Sequence, residues 1–163
     1  QLGLPEAAHT LAGLYAHGVG TPQNGSEAIR WYTYAANRGQ VRSMLALGQI
    51  YRAGVLVDKN IYLAIHWYER ASASGSADAD FNLGVIYDQG DGVKRDFHKA
   101  AQYYLTAAEK GHPAAAYNLA LCYAAGQGVE LDHAKALHWA RTSKDRGVTE
   151  ADKLINKLMR SGR

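Results

Sequence analysis

The sequence predicts an all-α protein, a right-handed α-solenoid of four 36-residue helix–turn–helix repeats with a C-terminal capping helix. Three observations carry that expectation. Glycine recurs at Gly3, Gly39, Gly75, Gly111 and Gly147, always at an interval of 36 residues. Apolar and aromatic columns keep the same step: Leu11, Leu47, Leu83 and Leu119; Tyr15, Tyr51, Tyr87 and Tyr123; Trp31, Trp67, Tyr103 and Trp139. Within each unit, two stretches of helical apolar spacing are separated by a glycine-bearing turn and an Asn or Asp.

The first stretch, helix A, runs near residues 5–17 in the first unit, with Ala8, Leu11, Leu14 and Tyr15 on one face. Gly18, Gly54, Gly90 and Gly126 follow three residues after each column tyrosine, where a left-handed helix stop is expected. Helix B begins at Asn24, Asn60, Asp96 and Asp132, whose side chains can accept a hydrogen bond from a first-turn N–H. Asn24 with Glu27 has the spacing of a capping box. Small residues at Ala12, Gly48, Gly84 and Ala120, and at Ala28, Ala64, Ala100 and Ala136, allow the helices to approach closely. The repeats run approximately over 4–39, 40–75, 76–111 and 112–147 within one repeat domain, 1–163. The capping helix spans 149–160, with Ala151, Ile155, Leu158 and Met159 expected inward. Gly3 stands in the closing column of a preceding unit, so the chain reads as a fragment of a longer repeat protein. Apolar surface near Leu4, Ala8 and Leu11 is then available for self-association at an uncapped N-terminal end.

The columns resemble the Sel-one-like repeat (SLR), a relative of the tetratricopeptide repeat. The third unit carries the likeness most fully, with Ala79, Phe81, Leu83, Gly84, Tyr87, Gly90, Gly92, Val93, Asp96, Lys99, Ala100, Tyr103, Tyr104, Ala107, Ala108 and Gly111. Leu56 departs from it at the second turn glycine, Thr21 at the valine of Val57, Val93 and Val129, and Ser43 at the first alanine. The resemblance implies that helix A of each unit lines a concave side. It does not extend to the cysteine-rich branch of the family, because Cys122 is the only cysteine.

Composition excludes several function classes. Hydrophobic residues make up 47% of the 163, enough for a packed core, and no run approaches the ~18 apolar residues of a membrane span. The net charge of +3 is too small to call for a nucleic-acid partner, and most of the aromatics, Tyr34 and Tyr62 apart, sit in core columns without a basic stripe. The lone cysteine permits no internal disulfide, is compatible with reducing and oxidising compartments alike, and stands in the aliphatic column Leu14, Ile50, Ile86, Cys122. The seven histidines are scattered, with His133 and His138 on different faces, so no metal site is expected. Gly18-Val-Gly20, Gly90-Asp-Gly92 and Gly126-Gln-Gly128 follow helices rather than strands and read as turns, not phosphate loops. Asn24-Gly25-Ser26 fits a glycosylation sequon, but Asn24 already serves as a cap. Asp78 and Asp80 point to different sides of their helix, so no acid–base pair, no catalysis and no cofactor are expected.

The expected function is a scaffold or adaptor that binds a protein or peptide on the concave helix-A face. The alternative is a structural spacer or self-assembly module of a larger repeat protein. Four helix-A columns change type between repeats and share one stripe at spacings of 4, 3 and 4. They read Glu6, Arg42, Asp78, Ala114; Thr10, Ala46, Asn82, Asn118; Gly13, Gln49, Val85, Leu121; and His17, Ala53, Gln89, Ala125. From these, Arg42, Gln49, Asp78, Asn82, Val85, Gln89, Asn118 and Leu121 are the candidate contact residues. Asn82 and Asn118 form an exposed ladder able to bond a peptide backbone.

Overall fold

The computed structural model describes residues 3–161. Among them are nine helices and no strand: α1 Gly3–His17, α2 Gly25–Ala36, α3 Val41–Ala53, α4 Ile61–Ala73, α5 Ala77–Gln89, α6 Phe97–Glu109, α7 Pro113–Ala125, α8 His133–Asp145 and α9 Ala151–Ser161. The chain is thus all-α, four helix–turn–helix repeats and a last helix. The described residues pack as two compact units, one up to Gly75 with α1–α4 and one from Ser76 onward with α5–α9. Within each, every helix packs on the next in sequence.

Side-chain caps set where the helices start. Asn24, Asn60, Asp96 and Asp132 hold extended backbone, and each accepts the N–H three residues on, at 3.1, 3.0, 3.0 and 2.9 Å. Each such cap contributes about 1 kcal/mol. In the Asn24 box the Glu27 carboxylate is drawn to Arg30, at 3.4 Å. Gln40, Ser76 and His112 cap the helices A in the same way, a column that the periodicity alone did not single out.

Helix A ends where expected. Gly54, Gly90 and Gly126 are left-handed caps at φ 69, 69 and 66°, and Gly18 has φ 68°. The second turn column keeps its geometry even where glycine is lost: Leu56 has φ 73°, beside 73, 68 and 71° at Gly20, Gly92 and Gly128. A leucine held there is strained by about 1 kcal/mol. Its bulk is accommodated by Gly25 on the neighbouring repeat, where a Cβ would stand 2.7 Å from the Leu56 carbonyl oxygen. In the second unit the sizes are exchanged. Phe97 stands in the column of Gly25, Gly128 in that of Leu56, and a Cβ on Gly128 would overlap the Phe97 carbonyl.

The small-residue column lets an aromatic ring lie directly on a helix backbone. A Cβ at Gly48 would fall 2.5 Å from the Tyr68 ring, and one at Gly84 2.6 Å from the Tyr104 ring. Both tyrosines are buried. In the fourth repeat Ala120 fills the small slot and Ala140 the tyrosine slot. The second unit buries Ala100, Tyr104, Ala107, Ala115 and Leu119 in one cluster, and Ala120, Ala136, Ala140 and the inner face of α9 in another.

On α9 the expected inward set changes by one residue. Ala151, Leu154, Ile155 and Leu158 are buried, whereas Met159 is 51% exposed. Spacings of 3 and 4 place the first four on one face and carry Met159 past its edge. At the N-terminal flank, Leu4 is exposed, Leu11 half-buried and Ala8 buried. Among the described residues no helix is long and apolar enough to cross a membrane.

Candidate functional site

The variable stripe stays at the surface in both units. On α5, Asp78 and Gln89 are exposed and Asn82 and Val85 half-buried; on α7, Ala114 and Asn118 are half-buried and Leu121 and Ala125 exposed. The columns flanking the stripe, Ala79, Leu83 and Ile86 on α5 and Ala115, Leu119 and Cys122 on α7, are buried. In the first unit Arg42 and Gln49 are exposed on α3, and Arg42 reaches Glu6 of α1 at 3.6 Å. That pair is well solvated and contributes little stability.

The face of the second unit is built over Tyr104. Because Gly84 lacks a side chain, the Tyr104 ring reaches across the α5 backbone, and its hydroxyl emerges where α5, α6 and α7 meet. There it donates to Asp88 Oδ2 at 3.5 Å, with the Asn118 side chain near enough to bear on its ionisation. Burial, followed by the Asp88 charge, pushes the phenol well above its ordinary range. Cys122, one turn beyond Asn118, is raised to about 11 by burial and then by Asp88, so it remains a thiol. Asn82 donates to the Asp78 carbonyl of its own helix at 2.7 Å. Both asparagines are half-buried and Asn82 is bonded within its own helix, where the sequence leads us to expect exposed rungs.

A second polar cluster joins the third and fourth repeats. His112 caps α7 by accepting the Ala115 N–H on Nδ1 at 3.1 Å, while Nε2 faces Asp78 Oδ1 at 3.5 Å. Its ring stacks on Phe81, centroids 4.3 Å apart at 16°. Burial lowers its pKa, with Asp78 partly opposing. Asp80 turns to the other side of α5, as anticipated for two aspartates of opposite direction. It is fully buried and held by Lys110 Nζ at 2.6 Å.

Reading the columns for variability found the surface stripe but missed Asp88, and it read Asp80 only as pointing away from Asp78. Each is the one acidic residue in its column, Ala16, Arg52, Asp88, Ala124 and Ala8, Met44, Asp80, Ala116. That singularity was the available signal. Among the described residues no group of three or more His, Cys, Asp or Glu side chains is placed to hold a metal ion.

Comparison with known proteins bears on the whole chain. The Sel1 repeat pattern matches four consecutive segments, 5–40, 41–76, 77–112 and 113–148. A Sel1 repeat protein from Oxalobacter formigenes is 30% identical, with a TM-score of 0.84 over 96% of this chain and 46% of that one. The protective antigen c5321 of uropathogenic Escherichia coli, which displays an SLR fold, is 28% identical, with a TM-score of 0.92 over 98% of this chain and 34% of that one. This chain thus spans less than half the length of either structure. Cysteine-rich protein B of Helicobacter pylori shares the fold at 23% identity, with a TM-score of 0.64 over 81% of this chain and 95% of that one. No curated protein matches significantly.

Proposed function

The chain belongs to the Sel1 repeat family, whose members are generally non-enzymatic protein-interaction scaffolds, and from that premise we propose that it holds a protein partner on its helix-A face. The partner presents an extended segment, which lies along the α5–α7 stripe of the second unit. Asp78, Asn82, Val85 and Gln89 contact it from one helix and Asn118 and Leu121 from the other. Arg42 and Gln49 play the same part on α3 of the first unit.

The supporting observation is the surface stripe itself: its four columns are free to vary and are nowhere buried, while the columns beside them close over the core. A face that packing does not need is available for recognition. Its mixture of amide, carboxylate and apolar groups suits a peptide, whose backbone offers both donors and acceptors. An asparagine has two donors and a carbonyl oxygen, so half-buried Asn118, beside the Tyr104 hydroxyl, has bonding capacity to offer a peptide.

The test is a pull-down with mass spectrometry, wild type against Asn82→Ala/Asn118→Ala, with affinities for the recovered partner then measured by calorimetry. A Leu121→Asp variant accompanies it, since Leu121 is 40% exposed and tolerates a charge without unfolding. Loss of the partner in both variants, with unchanged circular dichroism, supports the reading. Binding that survives both rejects the helix-A face.

A further inference from the structure

The helix-A pair of the second unit is free of strong cations, as is α1 in the first. Neither Ala77–Gln89 nor Pro113–Ala125 contains a Lys or Arg, while the first holds Asp78, Asp80 and Asp88. The chain as a whole carries a net charge of +3. With Asp80 turned inward, the face carries the charge of Asp78 and Asp88 in a molecule that is net cationic, and it favours cationic ligands at long range. The three carboxylates differ in what meets them. Asp80 is turned inward onto Lys110, and Asp78 faces His112. Asp88 is half-buried, forms no ion pair among the described residues, and receives only the long hydrogen bond from Tyr104.

A half-buried carboxylate with one weak donor retains acceptor capacity that water alone must fill. Tyr104 beside it is fixed by its ring on the Gly84 backbone. Val85 lies one helical turn before Asp88 on α5, and Leu121 one turn after Asn118 on α7. The floor thus offers an oriented anion beside apolar surface.

We propose that the α5–α7 face selects an extended peptide in which a lysine or arginine stands next to a large apolar residue. The cation is received at Asp88 and the apolar side chain rests on Val85 and Leu121. This deepens the scaffold reading and depends on it. Acidic or phosphorylated segments are disfavoured, because the face holds no cation to receive them.

A displayed library of random twelve-residue peptides, selected on the 163-residue chain, tests the inference. Enriched peptides are expected to pair Lys or Arg with Leu, Ile or Phe. Asp88→Asn keeps the shape and the acceptor for Tyr104 but removes the charge. It should weaken those peptides by about tenfold at low salt and flatten the salt dependence of their binding. Glu109→Gln, the same charge change on exposed α6, should leave binding unchanged. Enriched peptides without basic residues, or basic peptides bound equally by Asp88→Asn yet lost in Leu121→Asp, overturn the cation selectivity and leave the scaffold reading standing. Peptides that survive both substitutions, or a library that yields no binder, overturn both.

Discussion

The contact between successive repeats can be probed at a single atom. Gly128 and Gly20 occupy the same turn column with nearly the same backbone, φ 71 and 73°. An alanine at either position bears the left-handed strain, about 1 kcal/mol. Their surroundings differ. Nothing lies within 4 Å of a Cβ on Gly20, whereas a Cβ on Gly128 would overlap the carbonyl carbon and oxygen of Phe97. Those are backbone atoms at the start of α6 and cannot rotate away. The turn must move instead, stretching the 3.1 Å contact of His98 Nδ1 with the Gly128 oxygen. Forcing such an overlap costs a further ~1–3 kcal/mol. Gly128→Ala should therefore cost about 2–4 kcal/mol against about 1 for Gly20→Ala. For a chain of this length each kcal/mol lowers Tm by roughly 2–4 °C. Melts followed by circular dichroism give the totals. Hydrogen exchange shows whether the Gly128→Ala loss is concentrated in 97–132. Equal falls in Tm for the two variants would mean that the close approach carries no energy and that the size exchange between Leu56/Gly25 and Gly128/Phe97 is incidental.

Two further outcomes follow from the buried polar groups. Lys110→Met removes the ammonium from fully buried Asp80 and should cost about 3–5 kcal/mol, whereas Asp80→Ala/Lys110→Met, which restores the apolar type of Ala8 and Ala116, should lie near wild type in urea denaturation. A double variant as unstable as the single one would show that the ion pair is itself stabilising. His112 and His9 have pKa values lowered below 6.5, chiefly by burial, so the fold favours their neutral forms. The stability linked to them is complete above about pH 6.5 and falls away as pH drops through the depressed folded values. His112→Asn keeps a capping acceptor without a titrating ring and should lose less stability between pH 7.5 and 5 than wild type. Identical acid limbs would remove His112 from the account.

Much of the fold was legible because a repeat samples each position four times. Recurrence at 36 residues identified turn glycines and helix-B caps by residue, and the structure places Gly54, Gly90, Gly126, Asn24, Asn60, Asp96 and Asp132 in those roles. What repetition hides is the departure. Leu56 keeps the glycine conformation because the adjoining repeat makes room at Gly25, a compensation between columns that no single column displays. Met159 was placed inward by its column, yet α9 follows its own apolar stripe through Leu154. At the candidate site the columns identified a surface but not its chemistry. Asn82 and Asn118 share a column but meet different neighbours: Asn82 bonds a carbonyl of its own helix, and Asn118 lies beside a tyrosine hydroxyl admitted by Gly84. Asp88 was hidden because a column reading Ala, Arg, Asp, Ala looks like idle surface until the tyrosine beneath it is seen.

Site-specific photo-crosslinking tests most directly whether the helix-A face holds the partner. A photoreactive residue at Leu121 or Gln89, on the stripe, is compared with one at Gln102 or Arg141, exposed on helices B of the same unit. The account predicts adducts to one partner protein from 121 and 89, lost in Asp88→Asn/Asn118→Ala, and none from 102 or 141. Adducts formed from 102 and 141 but not from 121 and 89 would place the partner on the helix-B face and contradict it.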